Sequence, residues 1–335
     1  MERALAHVSA RPFNGVMMIA EGKRVVYAKA AGLADRERNL PLTLSSRFLV
    51  GSITKQVTAA LVMQQVDAGR IDLEAPIARY LDLTIDWGSR VKVRHLLNHT
   101  SGIATLEAPL RAGPGSTFAY SNFGYELAGK ILEKVTSRTY SELAETLFDS
   151  CGMNESQMLR AEGSPELVIG YSENPDRTLV VASQTERANH LPPGGMVSTV
   201  RDLVRWNRCL HHAHVVTAAG YTAMVTPSAR RPYRWGELGY GFGLQILDRD
   251  GIVELSHSGY VDGFISTMTY YPDADRTLVV LENTSWDAED MDRVFAPHDA
   301  VRDAVRAGLK DLWPQTLFEL GERPSWKSSA VSRRA

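Results

Sequence analysis

Long apolar runs are missing from this sequence: no stretch reaches the roughly 18 to 20 residues that a helix needs to cross a bilayer, so no membrane span is expected. Cysteine is scarce. The two that occur, Cys151 and Cys209, are too few and too far apart in sequence for a disulfide framework or a zinc site, and are read as structural thiols. Neither sign of charge is in excess, with 37 basic against 39 acidic residues, so no global field recruits nucleic acid or an anionic surface. Any partner must be recognised locally. A Gly-x-Ser-x-Gly nucleophile elbow is lacking, which disfavours the α/β-hydrolase arrangement. Gly239-Tyr240-Gly241-Phe242-Gly243 lacks the following helix that a dinucleotide loop requires, and reads as a strand packed closely against its neighbours. His211, His212 and His214 close a helix with no carboxylate or cysteine at zinc spacing, so a solvated helix end is expected and no metal or cofactor. No internal repeat or low-complexity tract is visible. Met1 to Pro12 alternates charged, small and apolar residues, unlike a signal peptide. A cytoplasmic location is therefore expected, or a periplasmic one if a leader has been removed.

What the chain does hold is core material, at 44% hydrophobic residues over 335 positions. Gly15 to Ala20 and Arg24 to Ala31 flank Glu21-Gly22-Lys23, the chemistry of a β-hairpin. After Ser52, Ile53, Val57, Ala60 and Leu61 fall at helical spacing until Gly69, a suitable C′ residue. Short helices are expected over 75–81, 93–98, 125–136 and 141–148, and a further one opening at Ser198 as its N-cap. Strands return at 240–247, 252–255, 265–271 and 277–281, before a last helix over 290–310. The class is α/β (α+β): a central, mainly antiparallel sheet flanked by helices, with an inserted, mainly helical region. The expected division is a sheet domain from 1–72 and 195–324, a helical domain from 73–194 and a loose tail at 325–335. A pocket belongs in the groove between the two.

Gly51-Ser52-Ile53-Thr54-Lys55 places Ser-x-x-Lys at the start of the predicted helix. Three residues apart, the two side chains share a helical face, so the lysine amine reaches the serine hydroxyl. A lysine serves as base only if burial or a cationic neighbour lowers its pKa. A helix N-terminus also offers free N–H groups to an oxyanion. The spacing alone is weak, because Ser89-Arg90-Val91-Lys92 repeats it in what reads as an exposed helix approach. Tyr120-Ser121-Asn122 follows a turn-rich loop and is the only Tyr-x-Asn in the chain. Tyrosine can relay a proton if a nearby lysine charge lowers its pKa, and Asn122 can bind a substrate carbonyl; a packed loop aromatic is the plain alternative. Ser256-His257-Ser258-Gly259-Tyr260 lies between strand runs. Gly259 there admits a ligand to a strand edge. His257 binds a substrate carboxylate, assists proton transfer or is simply structural.

Taken together these segments resemble the serine β-lactamase and penicillin-binding-protein superfamily, in the branch of class C β-lactamases, D-Ala-D-Ala carboxypeptidases, D-aminopeptidases and β-lactamase-like esterases. The likeness runs from Arg47 to Gln56, through His95-Leu96-Leu97-Asn98-His99-Thr100-Ser101-Gly102-Ile103, Tyr120-Ser121-Asn122 and Pro193-Gly194-Gly195-Met196, to His257-Ser258-Gly259. The resemblance implies a β-lactamase/transpeptidase-like fold and a serine hydrolase. Ser52 is then the nucleophile, Lys55 and Tyr120 the proton-transfer pair, and Asn122, His257, Ser258 and Gly259 the substrate contacts. It also implies an oxyanion hole from the backbone N–H groups of Ser52 and Tyr260, with Gly259 on an edge strand. His99 and Ser101 shape the cleft, and Gly194 and Gly195 make a tight turn.

One departure bears on substrate. Class C β-lactamases carry Lys-Thr-Gly where this chain has His257-Ser258-Gly259, and histidine is mostly neutral at pH 7. That shifts the expectation toward a small ester, amide or peptide of D-residue type and away from efficient β-lactam hydrolysis. Acyl transfer and a non-catalytic ligand-binding sensor remain as alternatives, selectivity is expected to lie in the loops at 104–114 and 230–237, and nothing in the pattern fixes an oligomeric state.

Overall fold

β1 (Gly15–Glu21) and β2 (Arg24–Ala31) form the expected hairpin, with Gly22 at φ 54 in its turn. The structure is a computed structural model describing residues 11–160, 164, 166–183, 190–212 and 214–312; the expected tail at 325–335 lies outside them. The rest of the main sheet comes from the far end of the chain: β6 (Ala229–Tyr233), β7 (Gly236–Tyr240), β8 (Gln245–Arg249), β9 (Ile252–Val261), β10 (Phe264–Tyr271) and β11 (Arg276–Glu282). The order β6-β7-β8-β9-β10-β11-β1-β2 is antiparallel throughout.

Both faces of this sheet are covered, which explains why β1 reads as an unbroken apolar run. Val16, Met18 and Ala20 join the core shared with α1 (Thr54–Asp67), while Met17 and Ile19 meet Val301, Val305 and Leu309 of the last helix (Met291–Leu312) on the other side. α1 is buried nearly all round and stops at Ala68, with Gly69 at φ 70 as its C′ residue. α2 (Val93–Leu97), α3 (Asn122–Thr136) and α4 (Tyr140–Ser150) follow it, then α5 (Leu191–Gly194), α6 (Val200–His211) and α7 (Ala218–Val225), which makes Met291–Leu312 α8. Beside the active-site turn, β3 (Phe48–Leu49), β4 (Gln157–Met158) and β5 (Met196–Ser198) make a small sheet in the order β3-β5-β4.

Several expectations are corrected. Residues 75–81 make only a 3-10 turn at Ile77–Arg79, because Pro76 holds extended backbone (ψ 146) directly before it. The α6 cap is Thr199, whose Oγ1 accepts from Asp202 N–H at 3.2 Å; Ser198 is taken up by pairing with Phe48 in the small sheet. The strand expected over 240–247 is broken after Tyr240, where Gly243 (φ 73) crosses α1 so closely that a Cβ would lie 2.6 Å from Lys55 O. Cys151 and Cys209 are disulfide-bonded, with Cα atoms 5.7 Å apart. Their 58-residue separation hid this, since the fold lays the end of α4 beside α6. His211 is not solvated: it is buried, stacked on Tyr270 at 4.3 Å, and its pKa falls to about 3 through burial.

Candidate active site

Ser52 stands in a single 3-10 turn, Gly51–Ile53, that runs directly into α1. Gly51 takes φ 52, and the turn is tied down where Val50 N–H donates to Met196 O at 2.9 Å and Thr54 Oγ1 donates to Gly51 O at 2.7 Å. One turn on, Lys55 is 0% exposed, and its Nζ lies 3.0 Å from Ser52 Oγ, 2.8 Å from Asn122 Oδ1 and 2.8 Å from Pro193 O. Burial, helped by the Arg231 charge, holds its pKa well below lysine's usual value. A neutral amine has two N–H donors and one lone pair. In that form the two donors go to Asn122 Oδ1 and Pro193 O, which are pure acceptors, and the lone pair is left for the Ser52 hydroxyl; as an ammonium the same nitrogen donates to all three.

Tyr120 approaches from the loop before α3 and donates its phenol proton to Ser52 Oγ at 2.8 Å. The loop is fixed by Ala119 N–H donating to His99 O at 2.7 Å, and by Ser121, the N-cap of α3, accepting from Gly124 N–H at 3.0 Å. Burial pushes the Tyr120 pKa up to about 12. This reverses the expected direction: burial outweighs the lowering influence of the Ser52 hydrogen bond and the Arg231 charge, so Tyr120 is an acid at neutral pH. Asn122, the first residue of α3, is exposed on the cleft side while its Oδ1 holds Lys55.

The third segment lies in β9, an inner strand rather than an edge. Its partner β8 reaches only Ser256, so His257 to Val261 outrun it and leave that side open. Gly259 is required there, since a Cβ would fall 2.2 Å from Val50 O and 3.0 Å from Ser52 N. A Cβ on Gly51 would in turn be 3.6 Å from Tyr260 N, so the backbone amides of Ser52 and Tyr260 come from two segments packed in contact. His257 has no nitrogen to spare. His99 Nδ1 accepts the Ser121 N–H at 3.1 Å, which puts the His99 proton on Nε2, facing Tyr240 Oη at 3.2 Å. Tyr240 then donates to His257 Nε2 at 2.9 Å, and His257 Nδ1–H donates to Ser258 O at 2.7 Å. Burial keeps both imidazoles neutral. Both His257 ring nitrogens are thus engaged within the protein, and Ser258 Oγ meets Tyr233 Oη at 2.9 Å.

The cation of this cleft is one that motif reading missed. Arg231, on β6, lies over Tyr233, Tyr120 and Phe118 at 4.6, 5.2 and 5.8 Å, and its Nη1 is buried without a hydrogen-bond partner. The signal was the period-two alternation of Ala229, Arg231 and Tyr233 facing inward between exposed Arg230 and Pro232. By contrast the second Ser-x-x-Lys plays no part: Ser89 Oγ donates to Asp86 O at 2.9 Å and Lys92 pairs with Glu74 at 2.8 Å.

Comparison with known proteins bears on the family and the fold. The family model described as Beta-lactamase matches residues 2–300. A penicillin-binding protein of Bacillus subtilis (strain 168) is 27% identical over 316 residues, covering 83% of this chain and 69% of that protein. A D-aminopeptidase of Brucella anthropi is 24% identical over 279 residues, covering 75% of this chain; the chain spans about half, 52%, of that relative. Among solved structures, the octameric penicillin-binding protein homologue from Pyrococcus abyssi superposes with a TM-score of 0.75 at 29% identity, over 85% of this chain and 72% of that one.

Proposed function

The chain belongs to the Beta-lactamase family and is a serine hydrolase, and from that premise we propose that Ser52 is the nucleophile of an acyl-enzyme mechanism on an ester or a D-residue amide. The observation that carries this reading is the convergence on one hydroxyl of an amine at 3.0 Å and a phenol at 2.8 Å. Lys55 takes the Ser52 proton as Oγ bonds to the substrate carbonyl carbon. The backbone N–H groups of Ser52 and Tyr260 hold the oxyanion. On collapse the bond to the leaving group breaks; Tyr120 protonates the departing oxygen or nitrogen and recovers its proton from Lys55. Water then attacks the acyl-enzyme through the same groups run in reverse, giving the acid and free Ser52.

Substrate class follows from which charges the cleft offers. With His257 neutral and fully bonded, an anionic group on a substrate would meet Arg231 instead of the third motif. A panel of short p-nitrophenyl esters, D-alanine p-nitroanilide and nitrocefin tests the reading. Esters and the D-anilide should turn over and nitrocefin should lag; Ser52→Ala should lower kcat on the order of 10⁴-fold or more and abolish labelling by a fluorophosphonate. Undiminished turnover in Ser52→Ala would move the chemistry elsewhere, and fast nitrocefin hydrolysis would reverse the substrate ranking.

A further inference from the structure

A second cavity, of about 440 Å³, opens away from Ser52 between the β1–β2 turn, the end of α4 and the outer face of α6. Lys23, Arg201, Arg205, Arg208 and His214 line it, beside the Cys151–Cys209 disulfide. The three arginines recur at i, i+4 and i+7, so one helical face points all of them at the same space. No carboxylate lines the cavity among the described residues. Arg205 is satisfied from beneath by buried Asp202. Asp275, whose field reaches Arg208, lies behind Gly22 at the cavity's rim and turns its Oδ1 to His212 and Tyr270. Arg208 Nε is buried with no hydrogen-bond partner. Arg201 stands in the first turn of α6, where the positive end of the helix disfavours a cation. The acid of the same turn, Asp202, is engaged by Arg205 and Ser156.

We propose that this cavity binds a tetrahedral oxyanion of the phosphate or sulfate class, independently of the Ser52 cleft. Guanidinium groups suit such an anion because their planar N–H donors pair with two oxygens at once. An anion also relieves the mutual repulsion of the cations. The disulfide fixes α6 against the end of α4, so the arginines are held in place before the ligand arrives and less order is lost on binding.

The test is calorimetric titration of inorganic phosphate, sulfate and pyrophosphate into the full chain, at low salt and at 0.15 M, since binding at an open, charged site weakens with screening. Pyrophosphate should bind at one site, and Arg201→Ala with Arg208→Ala should weaken it by about tenfold or more, the loss of two charge-assisted contacts. The same double variant should hydrolyse p-nitrophenyl esters like the unaltered chain, while Ser52→Ala and Arg231→Ala should bind pyrophosphate undiminished. Equal binding by the arginine double variant, loss of binding in Arg231→Ala, or no binding of any of the three ions would overturn the proposal.

Discussion

Lys55 Nζ lies within hydrogen-bond reach of Asn122 Oδ1, Pro193 O and Ser52 Oγ, and only its uncharged form has a lone pair with which to take the Ser52 proton. Its lowered pKa gives the sign of the pH dependence. Below that pKa the folded enzyme carries an ammonium that cannot take the Ser52 proton, so kcat/KM should fall toward acid; above it the amine is free and the rate should level off. Tyr120, at about 12, stays protonated and imposes no alkaline limb at ordinary pH. Arg231→Gln should shift the acid limb to higher pH, because the removed charge no longer opposes the ammonium. A pH profile of ester hydrolysis for both proteins measures this, and an unmoved limb would show that Arg231 does not act on Lys55. At this scale Ser52, Lys55 and Tyr120 were legible because their spacing and order are themselves the chemistry. Arg231 and the bonded state of His257 were not, since each depends on partners such as Tyr120, Tyr240 and His99 that lie 17 to 158 residues away in the chain.

Elements were legible where local rules act alone. The Gly22 hairpin and the α1 stop at Gly69 needed only turn and cap chemistry. They failed where tertiary pairing overrides propensity: Ser198 is a good cap but is claimed by a strand, and Phe242 is apolar but lies in a crossing over α1 instead of a strand. The disulfide belongs to the same class, because only packing of α4 beside α6 brings its cysteines together. At a sequence separation of 58, the cross-link restricts the unfolded chain by about 4 kcal/mol in the chain-entropy account. Cys151→Ala with Cys209→Ala should therefore lower Tm by several degrees, as should reductant on the unaltered chain but not on the double variant. Ester turnover at 25 °C should survive, as neither cysteine reaches Ser52. A melting curve indifferent to both treatments would mean that the bond contributes nothing to stability.

At the scale of the molecule, the main sheet carries apolar clusters on both faces, and their division follows the alternation of its strands. On β9, Leu255 faces the core beneath α1, with His257 next along that side, while Ile252 and Glu254 face α8. Glu254 is 0% exposed and accepts from Arg302 at 2.7 and 2.9 Å and from Arg306, both on α8. α8 is thereby fastened to the back of the sheet by a buried charge cluster as well as by Val301, Val305 and Leu309. Removing the carboxylate leaves two nearly buried guanidinium groups without their shared partner, a loss of about 3 to 5 kcal/mol. Glu254→Gln should then lower the denaturant midpoint markedly. Because the change acts from the face opposite Ser52, kcat for ester hydrolysis well below the melting range should stay within a small factor of the unaltered chain. Chemical denaturation and steady-state kinetics on the same preparation separate the two effects. Loss of kcat in step with stability would show that the back of the sheet and the cleft respond as one unit, and that the α8 anchor helps hold β9 against the Ser52 turn.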